Sequence, residues 1–147
     1  MTIDHIGILV PGLDGALRQW ETLFGYHRNS DIVLNTRQKV RVAFLAKEDS
    51  LTVKLIEPSA PDSPVHLAAR KGGGLHHLCF RCPSVAAQIP LLQRNGATLL
   101  VPSQPGEAFN NNPIAFLLAG NLNFELIDTS EKQGWGAYDL VDSAHAG

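Results

Sequence analysis

The chain has 147 residues and a formal net charge of −2, long enough for one domain with a sizeable core. A 44% hydrophobic and 18% charged content is that of a soluble globular protein, and the basic residues do not cluster, which excludes an electrostatic footprint for nucleic acid. No apolar run approaches the roughly 20 residues of a membrane span, and MTIDHIGILV enters a strand pattern without the layout of a signal peptide, so a cytoplasmic location is expected.

In chain order, HIGILV reads as a strand, followed by a helix whose buried face is marked by Leu13, Leu17, Trp20 and Phe24. Pro11 and Gly12 precede that helix, and Gly25 stands in the C-capping position after it. Three strands follow, near Asp31–Leu34, Lys39–Ala46 and Leu51–Glu57. EPSAPDSPVHLAARKGGG then reads as a linker with one helical turn; its glycines lack the spacing of a phosphate loop, and a strand follows where a helix would be needed. HHLCFRC opens a second series. Its helix takes Ser84 as N-cap, carries Ile89, Leu91 and Leu92, and is kinked or short because of Pro90. Strands at Thr98–Val101, Ile114–Ala119 and Leu122–Asp128 complete it, and the residues from Glu131, with Trp135 and Tyr138, show no period and dock on a neighbour or stay partly mobile. Cys79 and Cys82 lie three apart in a strand and point to opposite faces, which argues against a redox or zinc motif.

The two series are one unit written twice. Asp4-His5-Ile6-Gly7 falls on His76-His77-Leu78-Cys79, and Ala43-Phe44-Leu45 falls on Ala115-Phe116-Leu117 at the same offset. After one deletion, Val53-Lys54-Leu55-Ile56-Glu57 falls on Phe124-Glu125-Leu126-Ile127-Asp128. The expected fold is α+β: two tandem βαβββ modules, about 3–58 and 74–129, joined by a linker at about 59–73 and followed by a tail at 130–147. They would form one curved mixed sheet around a cleft, with the helices outside. The repeat brings His5 toward His77 and Lys54 toward Glu125. Two histidines and a carboxylate suit a divalent metal with open positions. His27, His66 and His145 read as solvated, and His76 faces away from His77.

DHIGILVPGLDGALRQWETLFGY, VRVAFL, LIEP, DSPV, GGGLHHLCF and ELID together resemble the vicinal oxygen chelate (glyoxalase/bleomycin resistance/dioxygenase) superfamily, nearest to its methylmalonyl-CoA epimerase members. The resemblance implies a divalent metal (Co, Ni, Mn, Fe or Zn) held by His5, His77, Glu125 and a fourth ligand, in a cleft where a proton is removed beside a carbonyl. At the fourth place stands Lys54, and the strand KVRVAFL, where the epimerases carry a carboxylate base, offers Arg41 and no acid. Three outcomes are open: a metal on three ligands with Lys54 swung aside, a metal-free cleft with Lys54 paired to Glu125, or Lys54 as base or amine nucleophile. Glu125 and Lys54 are thus the candidate catalytic residues, and Arg41, Lys54 and Asn112 the candidates for contact with a small carbonyl or acyl-CoA-like ligand. An epimerase, isomerase or lyase, a sequestering binding protein, and a metal-dependent dioxygenase are the competing functions; no nucleic-acid or membrane partner is expected, and the resemblance implies a homodimer.

Overall fold

The computed structural model describes residues 1–138, and His145 and the rest of 139–147 lie outside the described residues. The first half runs β1 (Thr2–Leu9), α1 (Leu13–Phe24), β2 (His27–Arg28), β3 (Val33–Asn35), β4 (Val40–Ala46) and β5 (Thr52–Pro58). A short helix, α2 (His66–Arg70), lies in the connection. The second half runs β6 (Gly74–Arg81), α3 (Val85–Arg94), β7 (Thr98–Gly106), β8 (Asn112–Ala119) and β9 (Leu122–Ile127). All nine strands belong to one mixed sheet in the order β2-β4-β5-β1-β6-β9-β8-β7, with β3 also paired to β4.

The halves meet along antiparallel β1 and β6, and each opening strand pairs in parallel with the last of its own half, β1 with β5 and β6 with β9. Strand alternation then sorts side chains between two faces. On the outer face, Ala43, Leu45, Val53 and Leu55 pack under α1, and Ala115, Leu117, Phe124 and Leu126 pack under α3. On the inner face, Val40, Val42, Phe44, Ile56, Cys79, Phe109 and Ile114 pack together. The repeated triplets Ala-Phe-Leu work alike in both halves: alanine and leucine support a helix while phenylalanine turns inward.

Helix α1 ends on Gly25 in the left-handed conformation (φ 71°), as expected of a C-capping glycine. Ser84 caps α3 by accepting from the Ala87 N–H. Pro90 lies inside α3, which runs 10 residues against 12 for α1. Phe24 departs from its expected burial. It ends the helix half-exposed, touching Trp20, while Leu13 and Ala16 face the core.

The strand β7 of the second half is continuous, whereas its counterpart is split into β2 and β3 by the segment 29–32. The described part of the tail docks on that break. Asp31 N–H donates to the Gln133 carbonyl, Gly136 N–H to the Asn29 carbonyl, Gln133 N–H to the Ala108 carbonyl, and the Tyr138 hydroxyl to Asp31. Residues 133–138 therefore strap the two halves together.

Candidate functional site

Sheet register alone assembles the site. Phe44, Lys54, Gly7 and His77 form one cross-strand row over β4, β5, β1 and β6; Phe116, Glu125, Cys79 and His5 form its mirror over β8, β9, β6 and β1. Each histidine lies across from a small residue of the other half. The fit over Gly7 is tight, since a Cβ there would overlap the His77 ring. His5, Lys54, His77 and Glu125 are all nearly inaccessible, at 0, 5, 1 and 0% exposure. They converge on one atom: Glu125 Oε1 stands 3.2 Å from His5 Nε2, 3.3 Å from His77 Nε2 and 3.4 Å from Lys54 Nζ.

Two register shifts aim the flanking residues. Between Ile3↔Phe80 and His5↔Cys79, β1 carries one extra residue, Asp4; between Gly7↔His77 and Ile8↔Leu75, β6 carries one extra residue, His76. A bulged residue escapes strict alternation and can turn its side chain beside its neighbour. Asp4 Oδ2 thereby accepts from His5 Nδ1 at 2.8 Å, and His76 Nδ1 lies 2.7 Å from His77 Nδ1. This corrects the expectation that His76 faces away from His77: the bulge brings the two rings to 5.0 Å.

The flanking groups are anchored differently. Asp4 holds a buried ion pair with Lys132 of the tail, 3.0 Å from Oδ2, and the Lys132 ammonium lies over the Phe44 and Trp135 rings. His76 instead lines a small cavity of about 40 Å³. Val40, Val42, Ile56, Val65 and Phe116 make its apolar wall, and Lys54, His77, Asn35 and Gln38 supply polar groups.

The charges tune one another. Burial would raise the Glu125 carboxyl, but the Lys54 ammonium and the two imidazoles outweigh it and hold Glu125 well below the usual carboxylate range. Burial likewise opposes ionisation of Asp4, and His5 and Lys132 outweigh it, so its value is also lowered. Burial holds His77 down to about 3, against the pull of Glu125. Burial and then the Lys54 charge lower His76. Both rings are neutral at pH 7. The centre thus sets two carboxylates, Asp4 and Glu125, against Lys54 and Lys132, with Arg81 a further 3.9 Å partner of Asp4 at the edge.

Arg41 lies outside this centre. It sits one residue out of step with Val40, Val42 and Phe44, so it stands on the outer face, half-exposed and paired with Glu57. Asn112 opens β8, where its amide donates to the Phe109 carbonyl and to Glu131. Neither residue is among those lining the cavity. Asp4, His76 and Lys132 belong to the centre without having been singled out. Only the pairing of Asp4-His5 with His76-His77 in the repeat pointed to the first two. Cys79 and Cys82 are free and buried, and burial holds the Cys79 thiol well above its usual range.

His5, His77 and Glu125 form a three-ligand group whose donor atoms lie within 4.8 Å of one another. Among the described residues His5 Nε2, His77 Nε2 and Glu125 Oε2 have no hydrogen-bond partner, as suits atoms that face a cation. The fourth position does not fit a divalent ion. Two unit charges 4 Å apart repel by about 4 kcal/mol at an effective dielectric of about 20, and a dication doubles that. With Lys54 turned inward, its ammonium already serves Glu125 Oε1.

The sequence model of the Glyoxalase/Bleomycin resistance protein/Dioxygenase superfamily matches residues 4–116. The Bacillus subtilis protein YqjC is 35% identical over 133 residues, covering 90% of this chain and 93% of YqjC. The ethylmalonyl-CoA/methylmalonyl-CoA epimerase of Cereibacter sphaeroides is 24% identical over 131 residues, covering 88% of this chain and 96% of its own length. A Streptomyces coelicolor methylmalonyl-CoA epimerase variant, solved with 2-nitronate-propionyl-CoA, superposes with a TM-score of 0.77 at 26% identity, over 90% of this chain and 97% of that one. With a doubled unit, a mixed nine-stranded sheet and these matches, the chain belongs to the glyoxalase/bleomycin resistance protein/dioxygenase superfamily and is related to its methylmalonyl-CoA epimerases.

Proposed function

We propose that this protein is an enzyme of the epimerase type that moves a proton on the carbon beside a carbonyl, with a small acyl thioester as the substrate class. In this reading the Lys54 ammonium takes the place of a metal and works without one. The observation that carries it is the convergence of Lys54 Nζ, His5 Nε2 and His77 Nε2 on Glu125 Oε1, with Lys54 and His77 lining the cavity. Glu125 holds the ammonium in place, and a fixed cation in a largely apolar site stabilises the oxygen on which negative charge develops when the neighbouring proton passes to a neutral imidazole of the cavity wall, His76 or His77. A cavity of about 40 Å³ lies beside the Lys54 ammonium.

Chelator-treated protein incubated with either epimer of methylmalonyl-CoA in deuterated water is expected to incorporate deuterium at the α-carbon, and Lys54→Met to abolish it. Exchange that appears only after divalent metal is added would overturn the metal-free reading. A second reading, a binding protein without turnover, is favoured by the inner face of β4, where Val40, Val42 and Phe44 supply no carboxylate base. Tight binding of the thioester without exchange would select it. The same proposal takes the protein as cytoplasmic, on its sequence pattern, and as a homodimer, on the strength of the resemblance, and sedimentation velocity tests the dimer.

A further inference from the structure

The repeat doubles the walls of the cavity as well as the centre. Val42, Ile56 and Phe116 line the cavity beside Lys54 and His77. Their repeat mates Ile114, Ile127 and Phe44 surround the equivalent space beside Glu125 and His5, and there they pack in one cluster with Phe109. The Phe109 ring is 1% exposed; it stacks on His5 at 6.0 Å and meets the Phe44 ring at 5.5 Å. The turns account for the difference. Residues 36–39 join β3 to β4 and bury no side chain, whereas 107–111 join β7 to β8 with one residue more and bury Ala108 and Phe109. Asn110 and Asn111, both left-handed (φ 55° and 65°), return the chain to β8, and Gly106 leaves room where a Cβ would press on Ile114 and the Phe109 ring.

We propose that Phe109 determines specificity: its ring plugs the mirror chamber, confines the ligand to the His77 side of the Lys54–Glu125 pair and excludes acyl groups that reach across that pair. Lys54 borders both spaces, since it lines the cavity and its Nζ stands 5.3 Å from the centre of the Phe109 ring. A carbonyl carried from either side comes within reach of the same ammonium. With the plug cut back to a methyl group, the ring of an arylacetyl thioester fits the vacated place, one methylene from its own carbonyl. A single methylene in an apolar pocket already discriminates by about 10- to 200-fold, and a phenyl ring is larger. The ligand half rests on the proposed function above; the chamber itself does not.

Calorimetric titration with propionyl-CoA and phenylacetyl-CoA reads the plug. Wild type is expected to bind phenylacetyl-CoA at least about tenfold more weakly than propionyl-CoA, and Phe109→Ala to shift that ratio at least about tenfold toward phenylacetyl-CoA. Equal binding of both by wild type, or a ratio that does not move in the alanine variant, overturns the specificity role, because general loosening would weaken both probes alike. Phe109→Leu keeps most of the packing and should shift the ratio about threefold, and it carries the test where the alanine variant does not fold. Benzene tests the chamber without a thioester: Phe109→Ala is expected to take it up with nuclear Overhauser contacts to the His5 and Phe44 rings. No uptake, or uptake away from those rings, overturns the chamber. Wild type and variants that bind neither thioester overturn the proposed function and the ligand half with it, while the benzene contacts still decide whether Phe109 fills a chamber open to the centre.

Discussion

The two halves of the centre are built by the same device and used differently. In each, a bulge just before the histidine turns one side chain onto its Nδ1, and the last strand sets a charged group opposite. In the first half the bulged residue is a carboxylate, sealed by Lys132 beneath Trp135. In the second it is an imidazole on a cavity wall. The last strands carry opposite charges, Lys54 and Glu125. The repeat supplies a near-symmetric frame, and the symmetry is broken at the flanks: one side is fastened shut, the other lines a cavity.

The largest expected effect comes from restoring the symmetry. Lys54→Glu replaces an ammonium by a carboxylate facing Glu125 and completes two histidines with two carboxylates. Affinity for Co or Zn is expected to rise at least a hundredfold, with near-stoichiometric metal in the purified variant by elemental analysis. Unchanged affinity would mean that the four residues do not share one ligand position.

Next in size is the fastening of the first half. Lys132→Met leaves the buried Asp4 without its ammonium partner, and breaking a buried pair from one side costs about 3 kcal/mol. Urea denaturation should show that loss, with Lys132→Arg recovering most of it. His76→Phe, which strands no buried charge, is expected to cost about 1 kcal/mol or less. Equal losses would contradict the difference between the sides. Gly7→Ala comes third, at about 2 kcal/mol, because the added methyl must displace the His77 ring. Cys79→Ala, at the equivalent place, removes volume instead and should cost about 1 kcal/mol.

Much of this was legible beforehand, for reasons that can be named. The repeat anchors lie in strands whose period-2 alternation is rigid, so matching Ala43-Phe44-Leu45 to Ala115-Phe116-Leu117 places residues on the same face in both halves. Lys54 opposite Glu125 followed once one deletion brought the third anchor, Val53–Glu57 on Phe124–Asp128, into register. The same parity separates Arg41 from Phe44, three positions away, and would have put it on the outer face. The bulges were not legible, since a register shift depends on the partner strand and leaves no local mark at Asp4 or His76. Lys132 was hidden for a different reason: it acts across 128 residues of chain from a segment without any period.

The last prediction concerns the helix starts, where the halves differ by one side chain. Glu57 accepts from the Leu13 N–H at 2.7 Å, and its repeat mate Asp128 accepts from the Val85 N–H at 2.9 Å, so each closing strand holds the first turn of its own half's helix. The N-cap of α1 is Gly12, which has no side chain to help, whereas Ser84 already caps α3. Glu57→Ala should therefore cost more than Asp128→Ala, about 1.5 against about 0.5 kcal/mol within the range of cap removals. Arg41→Met removes only the exposed partner of Glu57 and should fall below about 0.5 kcal/mol. Thermal denaturation of the three variants orders them, and an Asp128→Ala loss as large as that of Glu57→Ala would show that Ser84 adds nothing to the start of α3.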